Sequence, residues 1–204
     1  MNLAFIHIPK NGGTSIKNVC NYLSIQYCDH AVDPKSINKD HIVVIRNPIG
    51  RFCSAVHYAV KYWSSENHIQ KIKNAGLITP NQWADAFFNP NNPHHDLVSI
   101  EINNNKNFPH KIQRNVLKYR YTYTPQHYWI SNPRYILLFD NLETEFNFLL
   151  SKLGVSSYKL PHKNVSNKLN DLSDNNIKLL NKFYSIDIAI YNHIKNIPYN
   201  ERLS

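Results

Sequence analysis

The sequence predicts an α/β fold: a three-layer sandwich around a central parallel sheet, formed as a single domain over residues 1–204. Two patterns carry this expectation. Strand-like, loop and helix-like segments alternate along the chain, and the strand-like segments are continuous apolar runs, as strands covered on both faces require. Size agrees with one domain, since 204 residues with 42% apolar and 12% aromatic side chains suffice for one core.

The elements follow in order. Leu3 to Ile8 is a short apolar strand, and Pro9 to Ser15 is a glycine-containing turn. Ile16, Val19, Cys20 and Leu23 recur at helical spacing and mark one buried face. Ile25 to Cys28 reads as a second short strand. His41 to Ile45 is β-branched at its centre and reads as the clearest buried strand. Pro48 suits the first turn of a helix whose apolar stripe is Phe52, Ala55, Val56, Ala59 and Trp63. Thr79-Pro80 is a second capped start, leading into Trp83, Phe87 and Phe88. Residues 89–109 are rich in Asn, Pro and His and read as a long loop within an irregular insert at about 65–115. Tyr135 to Phe139 is another strand. Leu142, Phe146, Leu149, Leu150 and Leu153 mark a helix closed by Gly154. Ser173 caps one last helix carrying Ile177, Leu180, Tyr184, Ile188 and Tyr191.

Charge narrows the ligand class. The net charge is +9, so an anionic ligand or surface is expected. The cysteines at 20, 28 and 53 are odd in number and form no C-x-x-C, which reads as buried reduced thiols rather than a disulfide framework or zinc ribbon. No apolar run approaches the ~20 residues that span a bilayer. No signal peptide, anchor or membrane partner is expected, and the expected location is cytoplasmic.

Two loops at the ends of strands carry the chemistry. In His7-Ile8-Pro9-Lys10-Asn11-Gly12-Gly13-Thr14-Ser15, two glycines allow a sharp turn and close approach of a ligand. The N–H groups of the following helix, the Thr14 and Ser15 hydroxyls and the Lys10 cation complete a phosphate or sulfate cradle. It is not a Walker A loop, because Lys10 precedes both glycines. A plain capped turn explains the glycines less well and Lys10 not at all. The second loop, Arg46-Asn47-Pro48-Ile49-Gly50-Arg51-Phe52-Cys53-Ser54, places a guanidinium, the best bidentate phosphate partner, at a strand end. Arg51 reads equally well as structural.

The first loop resembles the phosphosulfate-binding loop of sulfotransferases that use 3'-phosphoadenosine-5'-phosphosulfate (PAPS), and most of all the carbohydrate group that includes heparan sulfate 2-O-sulfotransferase. Asn11 stands where that family usually has Thr. The second loop resembles the same family's 3'-phosphate site, R-[DN]-P-x-x-R-x-x-S. The resemblance covers roughly residues 3–60 and 120–190 and implies a P-loop-like sandwich with Lys10, Asn11, Gly12, Gly13, Thr14, Ser15, Arg46 and Ser54 on the cofactor. Tyr135 to Leu142 resembles the family's strand followed by E-D-L, with Asp140 for the usual Glu. Leu160 to Lys168 resembles the loop that closes over the nucleotide, which makes Lys163, Asn164, Ser166 and Lys168 cofactor candidates. A solvated basic loop is the equal alternative there.

The resemblance implies transfer of a sulfuryl group from PAPS to an acceptor hydroxyl by in-line displacement, leaving adenosine 3',5'-bisphosphate (PAP), with Lys10 neutralising the leaving phosphate and no metal. A histidine base is expected. His30, in Tyr27-Cys28-Asp29-His30, is the first choice, because the heparan 2-O enzymes place a base histidine in a comparable stretch. His57 and His127 are acceptor-side candidates, and His7 reads as a core histidine. His94-His95-Asp96 holds two metal-ligating residue types but reads as solvated, so no metal site is expected. The expected partner is a glycan or other hydroxyl-bearing acceptor rather than nucleic acid, with the oligomeric state open. A bacterial or viral source would fit the lack of the Golgi relatives' anchor. A non-catalytic protein of the same fold is one alternative, and two further readings compete. A P-loop kinase or NTPase would need ATP and magnesium. A basic nucleic-acid-binding module would lose affinity steeply with salt, and no recognised motif supports it.

Overall fold

The structure, a computed structural model, describes residues 2–30, 32–63, 67–104, 122–161 and 172–203. Four strands, β1 (Leu3–Ile6), β2 (Gln26–Cys28), β3 (Asp40–Ile45) and β4 (Tyr135–Leu138), form one sheet in the order β2-β1-β3-β4. Every neighbouring pair is parallel, with Phe5 opposite both Tyr27 and Ile42, and Val43 opposite Ile136. The β1–β2 pairing extends one step past the strand, where His7 N–H donates to the Cys28 carbonyl at 2.9 Å.

Nine helices belong to the described residues: α1 (Gly13–Tyr22), α2 (Pro48–Tyr62), α3 (Asn67–Asn74), α4 (Pro80–Phe88), α5 (His95–Asn104), α6 (Leu142–Lys152), α7 (Asp174–Phe183), α8 (Ser185–Lys195) and α9 (Tyr199–Arg202). The period-two geometry of the strands divides their side chains between two cores. Leu3, Phe5, Ile42, Val44 and Leu137 pack with Ile16, Val19 and Cys20 of α1 and Phe146, Leu149 and Leu150 of α6. On the opposite face, Ala4, Ile6 and Val43 meet Trp129, while Ile45 and Leu138 meet Tyr191 of α8. Helices therefore cover both faces, which is why these strands are apolar throughout. Each fully buried Leu, Ile or Phe contributes about 1.5–3 kcal/mol of transfer free energy. A third cluster joins α2, α3, α4, α5 and α7 around Trp83, Phe52 and Tyr123. All three cysteines are buried and unbridged, as the sequence predicts.

Helix starts follow the expected chemistry. Asn47 Oδ1 accepts from the N–H groups of Ile49 and Gly50, with Pro48 in the first turn of α2. Thr79 and Gln82 form a capping box at α4, and Ser173 accepts from Asn176 N–H at α7. Gly154 follows α6 with φ +71°, the left-handed value a C-terminal cap uses.

Two expectations need correction. The loop expected at 89–109 contains α5, whose Val98 and Ile102 are fully buried against the α3 and α4 cluster. α3, likewise within the insert expected to be irregular, buries Ile69 and Ile72. The helix expected from Ser173 to Tyr191 is two helices. Tyr184, with φ −102° and ψ 28°, breaks it, so that Leu180 and Tyr184 join one core and Tyr191 another.

The last helix is fixed by a buried ion pair. Arg202 makes two bonds to Glu145, at 2.7 and 3.1 Å, and donates to the Ile136 carbonyl, while Glu145 also accepts from Leu138 N–H. This fastens α9 and α6 to β4. Among the described residues, no helix is long and apolar enough to cross a membrane.

Candidate anion-binding cleft

In parallel sheets, ligands bind beyond the carboxyl ends of the strands where the strand order reverses. Here the chain leaves β1 toward β2 on one side and returns to β3 on the other, so the reversal lies between β1 and β3. The two loops singled out in the sequence follow these two strands. They enclose a cleft of about 280 Å³ lined by His7, Lys10, Gly12, Gly13, Thr14, Ser15, His30, Arg46, Ser54, Tyr58 and Phe139, among others. That volume is near the small end of the roughly 300–1,000 Å³ typical of ligand sites.

The first loop is built by strain and close contact. Lys10 has φ +69° and Gly12 φ +81°, two left-handed residues that turn the chain from β1 into α1. Gly13 is required by packing, because a Cβ there would lie 1.9 Å from the His7 ring. Gly12 is the N-cap of α1, so no side chain caps the helix, and its first turn carries no acidic residue. An uncapped helix start facing a cleft leaves N–H groups that can hold an anion. Thr14 is exposed there, whereas Ser15 Oγ donates to the Pro161 carbonyl at 2.8 Å. Asn11 differs from expectation. Its amide donates inward to Val44 O (2.7 Å) and Gln126 Oε1 (2.9 Å), so this side chain anchors the loop instead of facing a ligand.

The second loop presents Arg46 and Ser54 to the same cleft. Arg46 donates to the Lys10 carbonyl at 3.1 Å and lies 4.2 Å from the Phe139 ring centre, so the two loops are coupled directly. Arg51 is wholly buried and donates to Pro9 O (2.9 Å) and Thr124 O (2.7 Å), which settles it as a structural clamp. Burial, with the charges of Arg46 and Arg51, lowers the Lys10 ammonium from 10.5 to about 7. Lys10 Nζ lies 3.6 Å from the centre of the Tyr58 ring. Burial also lowers Arg46 to about 10, against the opposing effect of Asp140, and it remains charged at neutral pH. Half-buried Lys10 and Arg46 line the cleft, buried Arg51 lies behind them, and the first turn of α1 carries no acidic residue, so an anion placed there favours the charged form of Lys10.

His7 and His30 also line the cleft, with rings 5.7 Å apart and edge to face. His30 Nδ1 is 2.5 Å from Asp29 Oδ1, and the His30 carbonyl accepts from Trp129 Nε1. The Tyr27 hydroxyl contacts His7 Nδ1 at 2.7 Å. Contact with His7, together with the charge and N–H of His30, holds the Asp29 carboxyl well below the usual carboxylate range. Burial pushes His30 down, and Asp29 opposes that shift.

The remaining candidates lie elsewhere. His127 Nδ1 pairs with buried Asp187 at 2.7 Å, an interaction that ties the 126–129 turn to α8, and it does not line the cleft. His57 does not line it either, and its Nδ1 is buried without a hydrogen bond. Tyr58 and Trp63, by contrast, line it. His95 of the His94-His95-Asp96 run contacts the Ala86 carbonyl within the helical cluster. Asp140 accepts a short hydrogen bond from Tyr191. Lys163, Asn164, Ser166 and Lys168 lie outside the described residues.

His7, expected in the core, and Trp63, expected on the apolar stripe of α2, both line the cleft, as does Tyr58, for which the sequence carried no separate expectation. Tyr58 was legible, being one helical turn beyond Ser54 on the same face. A larger concavity of about 860 Å³ lies at the amino ends of the strands, lined by Lys35, Asp40, His41 and Arg134. It is broad and is flanked by no glycine loop, so size alone does not mark the site. Comparison with known proteins finds no matching family model, curated protein or solved structure.

Proposed function

We propose that this chain is a PAPS-dependent sulfotransferase that acts on an acceptor hydroxyl, with a carbohydrate as the acceptor class. The observation that carries the reading is the meeting of two anion-seeking loops in one cleft. The uncapped start of α1 with Lys10 lies on one side, and Arg46 with Ser54 on the other. Two such subsites suit a nucleotide with phosphates at both its 5' and 3' positions, whereas a single triphosphate needs one continuous cradle. Among the described residues that line the cleft, the donors are cations, hydroxyls and two imidazoles, with no carboxylate of the kind that holds magnesium on a nucleoside triphosphate.

Bound there, the nucleotide supplies the sulfuryl group as a mixed anhydride. Arg46 and Ser54 hold the 3'-phosphate. The α1 amides and Thr14 orient the 5'-phosphate, and Lys10 neutralises the charge that grows on it as the S–O bond breaks. His30 takes the proton of the attacking hydroxyl on Nε2, because Nδ1 is held by Asp29. Tyr58 and Trp63 form an aromatic wall of the cleft for a sugar ring, with rings 5.2 Å apart and edge to face, Tyr58 also carrying Lys10 Nζ over its ring.

A thermal-shift titration with PAP against ATP–magnesium tests the reading. PAP at 100 times its dissociation constant stabilises the chain by ~2.7 kcal/mol, and Lys10→Ala weakens that response. Stabilisation by ATP–magnesium alone would remove PAPS as the donor and return the site to the kinase class.

A further inference from the structure

We propose that His7, Asp29 and His30 form a binding site for a divalent transition-metal ion of the zinc class at the wall of the cleft. This goes beyond the proposed transfer reaction and is tested separately from it; an ion on His30 Nδ1 leaves the ring proton on Nε2, so the metal-bound chain is one in which His30 does not act as the base. One ring nitrogen from each histidine and one Asp29 carboxylate oxygen all lie within 4.8 Å of one another. Two imidazoles and a carboxylate are the ligand types that zinc and its first-row neighbours select over magnesium or calcium. Bonds of about 2.0–2.2 Å in a tetrahedral site place ligand atoms roughly 3.3–3.6 Å apart. The observed separations bracket that spacing: His30 Nδ1 is 2.5 Å from Asp29 Oδ1, and His7 Nδ1 is 3.9 Å from it. Small side-chain rotations therefore suffice to admit an ion.

The frame is rigid where it needs to be. His7 is wedged against Gly13, and Trp129 Nε1 fixes the His30 main chain. Asp29 is 69% exposed, and its Oδ1 accepts the His30 N–H at 2.7 Å, which keeps the carboxylate beside the two rings. Taking up the ion requires His7 Nδ1 to exchange the Tyr27 hydroxyl for the metal, which leaves that hydroxyl at the rim of the coordination sphere. His7 and His30 line the cleft, so a further ligand would come from there. Lys10 and Arg46 line the same cleft and oppose a cation, so an anion bound between them favours the metal, and the metal favours the anion by reciprocal linkage.

The full chain is titrated with cobalt(II), read by its visible absorption, and with zinc by calorimetry, each with and without sulfate. The expected result is one ion per chain, bound more tightly when sulfate is present. Asp29→Asn and His30→Ala each weaken binding by roughly 10–100-fold or more, and His94→Ala leaves it unchanged. Should His30→Ala fail to fold by circular dichroism, exposed Asp29→Asn carries the test. No binding, or binding indifferent to Asp29→Asn, overturns the site. A chain that binds cobalt here but never binds PAP keeps the metal site and loses the transferase reading, so the two failures are distinguishable.

Discussion

Gly13 shows how little freedom the cleft allows a single residue. A methyl group there would overlap the His7 ring, and His7 is held by Tyr27. Gly13→Ala is expected to destabilise by about 1–3 kcal/mol, each kcal/mol lowering the melting temperature by roughly 2–4 °C for a chain of this size. An unchanged melting temperature would mean that the ring is free to move. Lys10 gives a pH signature. Its ammonium falls from 10.5 to about 7 through burial and the neighbouring Arg46 and Arg51 charges. An anion needs the charged form, so PAP affinity falls as pH rises from 7 to 9. The ligand's own phosphates, with second pKa values near ~6, are constant over that window. Binding near pH 7.5 takes up a proton, and calorimetry in buffers of different ionisation enthalpy detects it. A flat profile, or one unaltered in Lys10→Ala, contradicts this role. The unliganded protein shows the opposite trend. Between pH 7 and 10.5 the unfolded chain holds the Lys10 proton and the folded chain has released it, so the Lys10 contribution to stability rises with pH across that range. At this scale the loop glycines, Lys10 and Arg46 were legible, because their chemistry is local. His7 was not. Its strand position resembles a core position, and its place at the cleft follows only from the sheet ending one residue earlier.

Among the elements, the junction of β1 with α1 depends on α2 through Arg51. This guanidinium spans from Pro9 to Thr124 inside the protein and joins three segments distant in sequence. Hydrogen bonds to a charged group contribute about 1.5–3 kcal/mol each, so Arg51→Ala is expected to cost about 3 kcal/mol or more in urea unfolding and to weaken PAP binding without touching the ligand. Arg51→Lys, which cannot make both bonds, fails to rescue. Loss of affinity without loss of stability would place Arg51 on the ligand instead. The clamp was invisible in sequence because an arginine in a basic loop looks the same whether it faces inward or outward. The helix α5 was hidden for another reason. Its Asn-rich composition and the preceding prolines resemble a loop, and only Val98 and Ile102, packed against α3 and α4, reveal the buried face. Tertiary packing outweighed weak propensity. The reverse error joined α7 to α8, where one periodic stripe runs through a break at Tyr184 that serves two different cores.

For the whole molecule, the parallel sheet decides where the chemistry lies. Continuous apolar strands were sufficient to read its architecture, and the order β2-β1-β3-β4 then brings two loops 36 residues apart in sequence, at Lys10 and Arg46, to one opening. The far side of the sheet is locked by Glu145 and Arg202. Breaking that buried pair with Glu145→Ala is expected to cost about 3–5 kcal/mol, a loss that denaturant unfolding would register, and to leave PAP affinity intact in the folded fraction. The most direct measurement of the central claim is a calorimetric cycle that pairs native and Arg46→Ala protein with PAP and with adenosine 5'-monophosphate, which lacks the 3'-phosphate. If Arg46 grips that phosphate, removing either partner weakens binding by roughly 10–100-fold, and removing both weakens it little further. Losses that simply add, or a native chain that does not bind PAP, would contradict the claim that this cleft grips both ends of the nucleotide.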